Sequence, residues 1–255
     1  MPLLKVDKLN KTFRGSGDQE FHALKEVSFT VDEGECVGII GESGSGKTTV
    51  ANIVAGFLPA TSGSVVYDGV ELTAKRCKRS ARDTMQMVFQ NPMNSFSPRM
   101  KLGTGIREGL RYQAASLSKA EQEKSVDQAM ERVGLPLSYK GKYAFEVSGG
   151  EAQRAAIARA ILIHPKFLLC DEITSALDAE IQDQLMDLLL ELKKEINMSL
   201  LFISHDIKLV RDFCDRAFVL QDGVVVEEGE VEKLYSHPEN DYTKRLVNAT
   251  ILNLL

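Results

Sequence analysis

At 255 residues, 44% hydrophobic and 26% charged, the chain has an ordinary globular composition and enough apolar sequence for one large α/β domain or two smaller ones. Its net charge of −5 argues against a nucleic-acid binder, which carries a basic excess. No apolar run approaches the length of a membrane-spanning helix, the N-terminal residues show no signal-peptide pattern, and Cys36, Cys77, Cys170 and Cys214 form no C-x-x-C pair; the expectation is a cytoplasmic chain with neither a zinc site nor a disulfide framework.

Residues 2–31 read as β structure. Leu4, Val6 and Leu9 precede a turn-rich stretch at 14–19, and Val27, Phe29 and Val31 then alternate with polar residues, as in a half-buried antiparallel strand. Residues 32–35 form a turn before the apolar run Cys36–Ile40. Gly41-Glu42-Ser43-Gly44-Ser45-Gly46-Lys47-Thr48 follows, and then Val50, Ile53, Val54 and Phe57 at helical spacing. That helix stops near Gly56, Pro59 and Ser62-Gly63 mark a loop, and 64–67 with Asp68-Gly69 reads as strand and turn. Lys75, Arg76, Lys78, Arg79 and Arg82 cluster as the solvated face of a helix. Residues 84–89 are a further strand, broken by Gln90-Asn91-Pro92, and 94–100 is an irregular loop.

The middle of the chain is helical. Ser118 with Glu121 three residues on is a capping-box spacing, Val126, Ala129, Met130 and Val133 form one apolar stripe, and Gly134 closes the helix. Ala152, Ala155, Ala156, Ala160 and Ile161 predict a second helix over about 151–163. Strand-type runs return at 167–170 and 200–204, separated by a stripe of Ile181, Leu185, Leu188, Leu189, Leu192 and Ile196. Such alternation of apolar strands and amphipathic helices predicts a mostly parallel sheet. Residues 217–226 read as a hairpin turning at Asp222-Gly223, and 230–255 as helices around a loop at His237-Pro238.

Residues 41–48 match G-x-x-x-x-G-K-[ST] in its proper context of strand, Gly-rich turn and helix. Polyphosphate needs many short-range donors. Glycines let successive N–H groups curl inward as an anion nest, and the following helix N-terminus adds unpaired N–H groups and positive dipole. Lys47 then reaches the β- and γ-phosphates and the Thr48 hydroxyl ligates Mg²⁺. Residues 167–172 are four apolar residues ending in Asp171 and Glu172, where a buried parallel strand delivers ligands at its C-terminal edge. Asp171 there would hold Mg²⁺ through water, and Glu172 would polarise the attacking water. His205, ending a second apolar strand, is a contact for the γ-phosphate, and Gln90, ending a third, can touch the metal and donate to water.

Val147-Ser148-Gly149-Gly150-Glu151 resembles the signature motif of ATP-binding cassette (ABC) ATPases. Asp171-Glu172-Ile173-Thr174-Ser175-Ala176-Leu177-Asp178 resembles that family's Walker B and D-loop, and with the P-loop, Gln90 and His205 five motifs stand in the family's order. The resemblance implies an α/β P-loop NTPase of the ABC type: a RecA-like core of mixed and parallel sheet, an N-terminal antiparallel β part and an inserted helical subdomain. It would be a single domain over 1–250, with its core at 1–89 and 161–235, helical residues at 90–160 and a tail at 236–255. It implies ATP and Mg²⁺, hydrolysis to ADP and phosphate, and phosphate contacts from Gly41, Ser43, Gly44, Ser45, Gly46, Lys47, Thr48 and Thr49. Mg²⁺ would be held by Thr48, Gln90 and Asp171. Phe13 would stack on adenine, where the family more often has Tyr. Ser148, Gly149 and Gly150 would meet the γ-phosphate held by a second ABC subunit, identical or different, and Asp178 would sit at that interface. Three departures, Val147 for Leu, Glu151 for Gln and Ile173 for Pro, remove no catalytic group, although Glu151 adds a charge near phosphate.

Residues 90–100 are similar to the Q-loop of oligopeptide, dipeptide and nickel importer ATPases, and 236–243 resembles their C-terminal His-Pro…Tyr-Thr segment. The resemblance implies an ATP-hydrolysing subunit of a membrane importer for peptides, nickel or a metal–chelator complex. It would be peripheral on the cytoplasmic face of the membrane, docked to permease subunits through residues 90–160, with no nucleic acid bound and no direct contact to the solute. The other reading of the same motifs is a soluble, non-transport ABC protein such as a phosphonate carbon–phosphorus lyase accessory ATPase.

Overall fold

The computed structural model describes residues 1–15, 20–74, 82–111 and 116–252. The backbone gathers into two compact units, Met1–Asp83 with the chain from Asn197 onward, and Thr84–Ile196. In chain order the first unit opens with β1 (Leu4–Arg14), β2 (Glu20–Val31), β3 (Cys36–Ile40), α1 (Lys47–Ala55), β4 (Ser62–Tyr67) and β5 (Val70–Glu71). The second unit holds β6 (Met85–Val88), α2 (Leu102–Arg107), α3 (Lys119–Arg132), α4 (Gly149–Ile161), β7 (Phe167–Asp171) and α5 (Ala179–Ile196). The chain then returns with β8 (Ser199–Ser204), α6 (Ile207–Phe213), β9 (Arg216–Gln221), β10 (Val224–Glu230), α7 (Val231–Ser236) and α8 (Asp241–Leu252).

In the first unit β2, β1, β4 and β5 form an antiparallel sheet in that order. One face is buried, as the alternation in β2 predicts: Val27, Phe29 and Val31 are inside while Ser28 is exposed. The unit's other strands run β10-β9-β3-β8, with β3 parallel to both β8 and β9, and β10 antiparallel to β9. All five residues of β3 and all six of β8 are buried, which is why both read as continuous apolar runs and not as alternations. Each large side chain so buried stabilises the fold by about 1.5–3 kcal/mol. The two sheets meet where Phe29 of β2 stacks on Phe218 of β9, ring centroids 4.4 Å apart, and where Arg216 donates to Glu35 Oε1 at 2.9 Å and to the Thr30 carbonyl at 2.8 Å. Two hairpin turns carry the expected left-handed pairs, Asp68 and Gly69 at φ 47° and 75°, and Asp222 and Gly223 at φ 48° and 79°.

Of the basic cluster, residues 75–81 lie outside the described residues. Arg82 is not part of a solvated face. It is half-buried, donating from Nε to the Val54 carbonyl and from Nη2 to the Leu72 carbonyl, both at 3.3 Å, so its planar fork satisfies an orphan acceptor in the last turn of α1.

In the second unit β6 and β7 pair in parallel. The capping box at Ser118 and Glu121 opens α3 as the spacing predicts, and Gly134 follows that helix at φ 70°. Helix α4 starts two residues earlier than its alanine stripe suggested. Ser148 and Glu151 form a second capping box, which draws Gly149 and Gly150 into the first turn. Arg154 from α4 donates to the Val133 carbonyl at 2.8 Å, and Arg159 donates to the Ser95 carbonyl at 2.6 Å while lying 4.6 Å from the Phe96 ring centroid. Among the described residues no helix is long and apolar enough to cross a membrane.

Candidate functional site

The register of β3 and β8 sets Ile40 beside Ser204, so Gly41 and His205 leave neighbouring strands at the same sheet edge. Gly41 is forced by packing: a Cβ there would stand 2.2 Å from the Leu220 carbonyl oxygen. Gly46 is forced by conformation, at φ 109°, and its absent Cβ would meet the Ala23 carbonyl oxygen at 2.8 Å. Between them the chain folds back on itself, with Ser45 N–H donating to the Glu42 carbonyl at 3.2 Å and Val50 N–H to the Gly46 carbonyl at 3.0 Å to start α1. The Lys47 side chain is buried and its Nζ donates to the carbonyls of Gly41 at 2.7 Å and Glu42 at 2.9 Å. An ammonium group is thus held across the loop, beside the N-terminal amides of a helix.

Ser45 Oγ is buried and has no hydrogen-bond partner among the described residues. A buried hydroxyl left unpaired costs about 1–3 kcal/mol, so this atom fits an anion that would complete it. Thr48 and Thr49 lie in the first turn of α1, with Thr48 exposed and Thr49 half-buried, and Ser43 and Gly44 are exposed. Among the described residues no cluster of three or more His, Cys, Asp or Glu could hold a metal. Thr48 offers one hydroxyl oxygen at the head of α1, which fits Mg²⁺, an ion that takes one or two protein oxygens together with phosphate oxygens and water in place of an all-protein cage. Phe13, 38% exposed near the end of β1, lies opposite the 61% exposed Phe21 across the β1–β2 ladder, with Lys11 Nζ 4.9 Å from its ring centroid. The Lys11 ammonium thus sits over the ring, and the exposed remainder is the surface on which a planar partner could stack.

The neighbours of the loop were not legible as site residues. The backbone N–H of Glu42 donates to the phenol oxygen of Tyr242 in α8 at 2.9 Å. A cavity of about 340 Å³ is lined by Glu42 to Ser45 together with Gln221, Asp222, Tyr242 and Arg245. Burial holds the Tyr242 phenol above its ordinary pKa.

In the second unit the register of β6 and β7 sets Val88 beside Cys170, and two residues beyond that pair Gln90 meets Glu172. Gln90 Nε2 donates to Glu172 Oε2 at 3.1 Å and to Ser175 Oγ at 3.2 Å, while Ser175 Oγ donates to the Glu172 carbonyl at 3.0 Å. Glu172 holds the left-handed conformation at φ 47°, a costly state for a non-glycine residue, of the kind that collects at functional sites. Asp171 is buried at the end of β7. Ser175 was missed as a contact because a serine inside an acidic loop carries no spacing signal of its own.

Ser148 is the N-cap of α4, its Oγ accepting from Glu151 N–H at 3.3 Å. The charge at Glu151 has local partners. Its carboxylate accepts from the Ser148 N–H at 2.7 Å and from the Tyr139 hydroxyl at 2.9 Å, and the Ser148 amide leads in holding it below the usual carboxylate range. A Cβ on Gly150 would stand 2.7 Å from Ile181 Cγ2, so α4 and α5 approach closely there. Asp178 caps α5, Oδ1 accepting from Ile181 N–H at 3.0 Å.

A model of the family described as ABC transporter matches residues 24–175, over half of the chain. The chain belongs to the ABC transporter family. It is similar to a putative peptide import ATP-binding protein of Brucella ovis, with 41% identity over 97% of this chain and 78% of that one. It is also similar to the oligopeptide transport ATP-binding protein OppF of Haemophilus influenzae, with 40% identity over 97% and 77%. Its fold matches a dimeric structure of a post-hydrolysis state of the ATP-binding cassette MJ0796 bound to ADP and Pi, at a TM-score of 0.80 and 28% identity over 89% and 98% of the two chains. It matches CbiO1 from Clostridium perfringens, part of the transporter complex CbiONQ, at a TM-score of 0.80 and 29% identity over 100% and 99%. This ABC ATPase therefore binds and hydrolyses ATP, has the α/β fold its motifs predict, and groups with the subfamily of peptide import ATP-binding proteins.

Proposed function

We propose that this ABC ATPase is the energy-converting subunit of a membrane importer whose cargo is peptides. The cargo rests on the two relatives named for peptide and oligopeptide transport, at 41% and 40% identity over nearly the whole chain. Neither of these two names mentions nickel or a metal–chelator complex. The chain would work in pairs with ATP at the interface, as the dimeric MJ0796 cassette supports, and would dock to permease subunits through its helical residues at the cytoplasmic face of the membrane.

The roles follow from chemistry. Gly41 to Thr49 cradle the phosphates, Lys47 neutralises β and γ oxygens, and Phe13 stacks on adenine. Thr48, Gln90 and Asp171 would hold Mg²⁺, which would supply charge neutralisation on the phosphates. Glu172 takes the proton of the attacking water, with Gln90 positioning its carboxylate, and His205 donates to the γ-phosphate. Ser148, Gly149 and Gly150 offer the α4 N-terminus to the nucleotide of the partner subunit, next to Asp178. Two inequivalent surfaces of each chain thus serve two different nucleotides.

The test is purification of the tagged full chain from its native membrane, followed by reconstitution in vesicles. The expected result is co-purification of a multispanning membrane protein and ATP-dependent uptake of an oligopeptide. Recovery of soluble enzymes alone would overturn the transport reading in favour of a non-transport ABC protein.

A further inference from the structure

The segment 236–243 serves in the sequence only as a mark of relationship, yet it delivers a buried side chain to the phosphate loop. Tyr242 is 5% exposed. Its position is determined twice over. Glu227 of β10 accepts from the N–H groups of Glu239 at 2.8 Å and Asn240 at 3.1 Å, and Asn240 Oδ1 accepts from Tyr242 N–H at 2.8 Å, an Asx turn that starts α8. Tyr242, Thr243 and Val247 then bury one side of the helix. A phenol set so firmly is a fixed acceptor, and what it accepts is the N–H of Glu42, the second residue of the loop.

The two peptide units that open the loop are therefore gripped from opposite sides. Lys47 Nζ holds the Gly41 and Glu42 carbonyls, and Tyr242 holds the N–H of Glu42. These grips differ in permanence. A polyphosphate is a better partner for an ammonium group than two neutral carbonyls are, so Lys47 leaves them when nucleotide enters. Tyr242 carries no charge for the nucleotide to draw away: a phenol is neutral at physiological pH, and its buried ring, set by the Asx turn, keeps its oxygen against the Glu42 N–H.

We propose that Tyr242 is a positioning residue of the nucleotide site: it anchors the first turn of the phosphate loop to α8 in the nucleotide-bound state, and so couples the C-terminal helix to nucleotide occupancy. The inference rests on residues 41–48 being the phosphate cradle. By reciprocity, an anchor that tightens nucleotide binding must itself be tightened by nucleotide.

The experiment uses the full chain and its Tyr242→Phe variant, which keeps the ring and removes the acceptor. ATP and ADP affinities are measured with a fluorescent nucleotide displaced by each, alongside the nucleotide-free thermal midpoint. Loss of one hydrogen bond predicts dissociation constants for both nucleotides raised about three- to tenfold, with maximal hydrolysis at saturating ATP reduced less than the affinity. In hydrogen exchange, saturating ADP slows the amides of residues 241–247 in the wild type and much less in the variant. Unchanged affinity in Tyr242→Phe, or a lowered thermal midpoint with unchanged affinity, overturns the proposal. If the variant fails to fold, the wild-type exchange decides alone: no protection of 241–247 by ADP overturns it. Failure of the wild type to bind ATP would instead remove the phosphate-cradle reading itself.

Discussion

Gln90 Nε2 lies 3.1 Å from Glu172 Oε2, a side-chain amide donating to a carboxylate across a parallel pair of strand ends. The same amide reaches Ser175 Oγ, whose own hydrogen is given to the Glu172 carbonyl, so the Gln90 and Ser175 side chains close around one strained residue, Glu172 at φ 47°. An amide donor fixes the orientation of the carboxylate it meets while bringing no charge of its own.

Glu172→Gln tests the proposed role of Glu172 as general base with little disturbance. The new amide can turn its oxygen to Gln90 and keep the pair. Single-turnover hydrolysis should fall about 10²–10⁴-fold, the range for a missing acid–base group, while ATP affinity stays within about twofold. Wild-type turnover by the variant would remove Glu172 from catalysis.

Lys47→Ala takes the donor away from the Gly41 and Glu42 carbonyls and from any bound phosphate. Charge-assisted bonds of this kind are worth about 1.5–3 kcal/mol, so ATP affinity should weaken about 10- to 150-fold. In a pair with one wild-type subunit, the variant should still close over its partner's ATP through Ser148 to Gly150. Retained tight binding by an isolated Lys47→Ala chain, read by equilibrium titration, would contradict the cradle.

Arg159 ties the end of α4 to the loop that follows Gln90. It donates to the Ser95 carbonyl at 2.6 Å and lies over the Phe96 ring, and Phe96 is itself buried. Arg159→Leu would leave that carbonyl without this donor at a cost of about 1–3 kcal/mol, a fall in thermal midpoint of about 2–4 °C for each kcal/mol. Arg159→Lys should recover only part of the loss, because a lysine keeps the charge but neither the planar fork nor the stacking. Equal melting of wild type and both variants would show the contact to be incidental.

What the sequence made legible was local. The phosphate loop announced itself because Cys36–Ile40 before it and Val50, Ile53 and Val54 after it declare strand and helix within a few residues. Asp68-Gly69 announced a turn and Asp222-Gly223 a hairpin because few other dipeptides adopt two successive left-handed conformations. The pairing of Gln90 with Glu172 was half legible: each ends an apolar strand, but only the register Val88 with Cys170 makes them neighbours. Tyr242 and Glu42 stand 200 residues apart, and a buried tyrosine on an amphipathic helix carries no periodic mark of what its hydroxyl meets. Arg82 misled for a related reason, since a basic run reads as solvated until the carbonyls of Val54 and Leu72 are brought beside it. The second capping box was legible and passed over: Ser148-x-x-Glu151 has the same spacing as Ser118-x-x-Glu121, but its glycines look unfit for a helix when read alone.

That second box makes a prediction about pH. The Glu151 carboxylate sits below the ordinary value of 4.5, held there first by the Ser148 amide and further by the Tyr139 hydroxyl. A group whose folded pKa is depressed contributes stability above its unfolded pKa and loses it as pH falls through the folded one. Glu151→Gln keeps the capping geometry, since an amide oxygen can accept from the same N–H, but it removes the ionisation. At neutral pH the wild type should therefore melt slightly above the variant, because a charged acceptor at a helix N-terminus is favoured by about 0.3–1 kcal/mol when exposed and unscreened. Below 4.5 the difference should close as Glu151 takes up a proton, and added salt should shrink it at neutral pH. Thermal midpoints of both proteins from pH 3 to pH 7, a range from about 1.5 units below to about 2.5 units above the ordinary value of 4.5, check this. A gap that stays constant across the range would mean the box stabilises by hydrogen-bond geometry alone and that the charge at Glu151 contributes nothing to the α4 N-terminus.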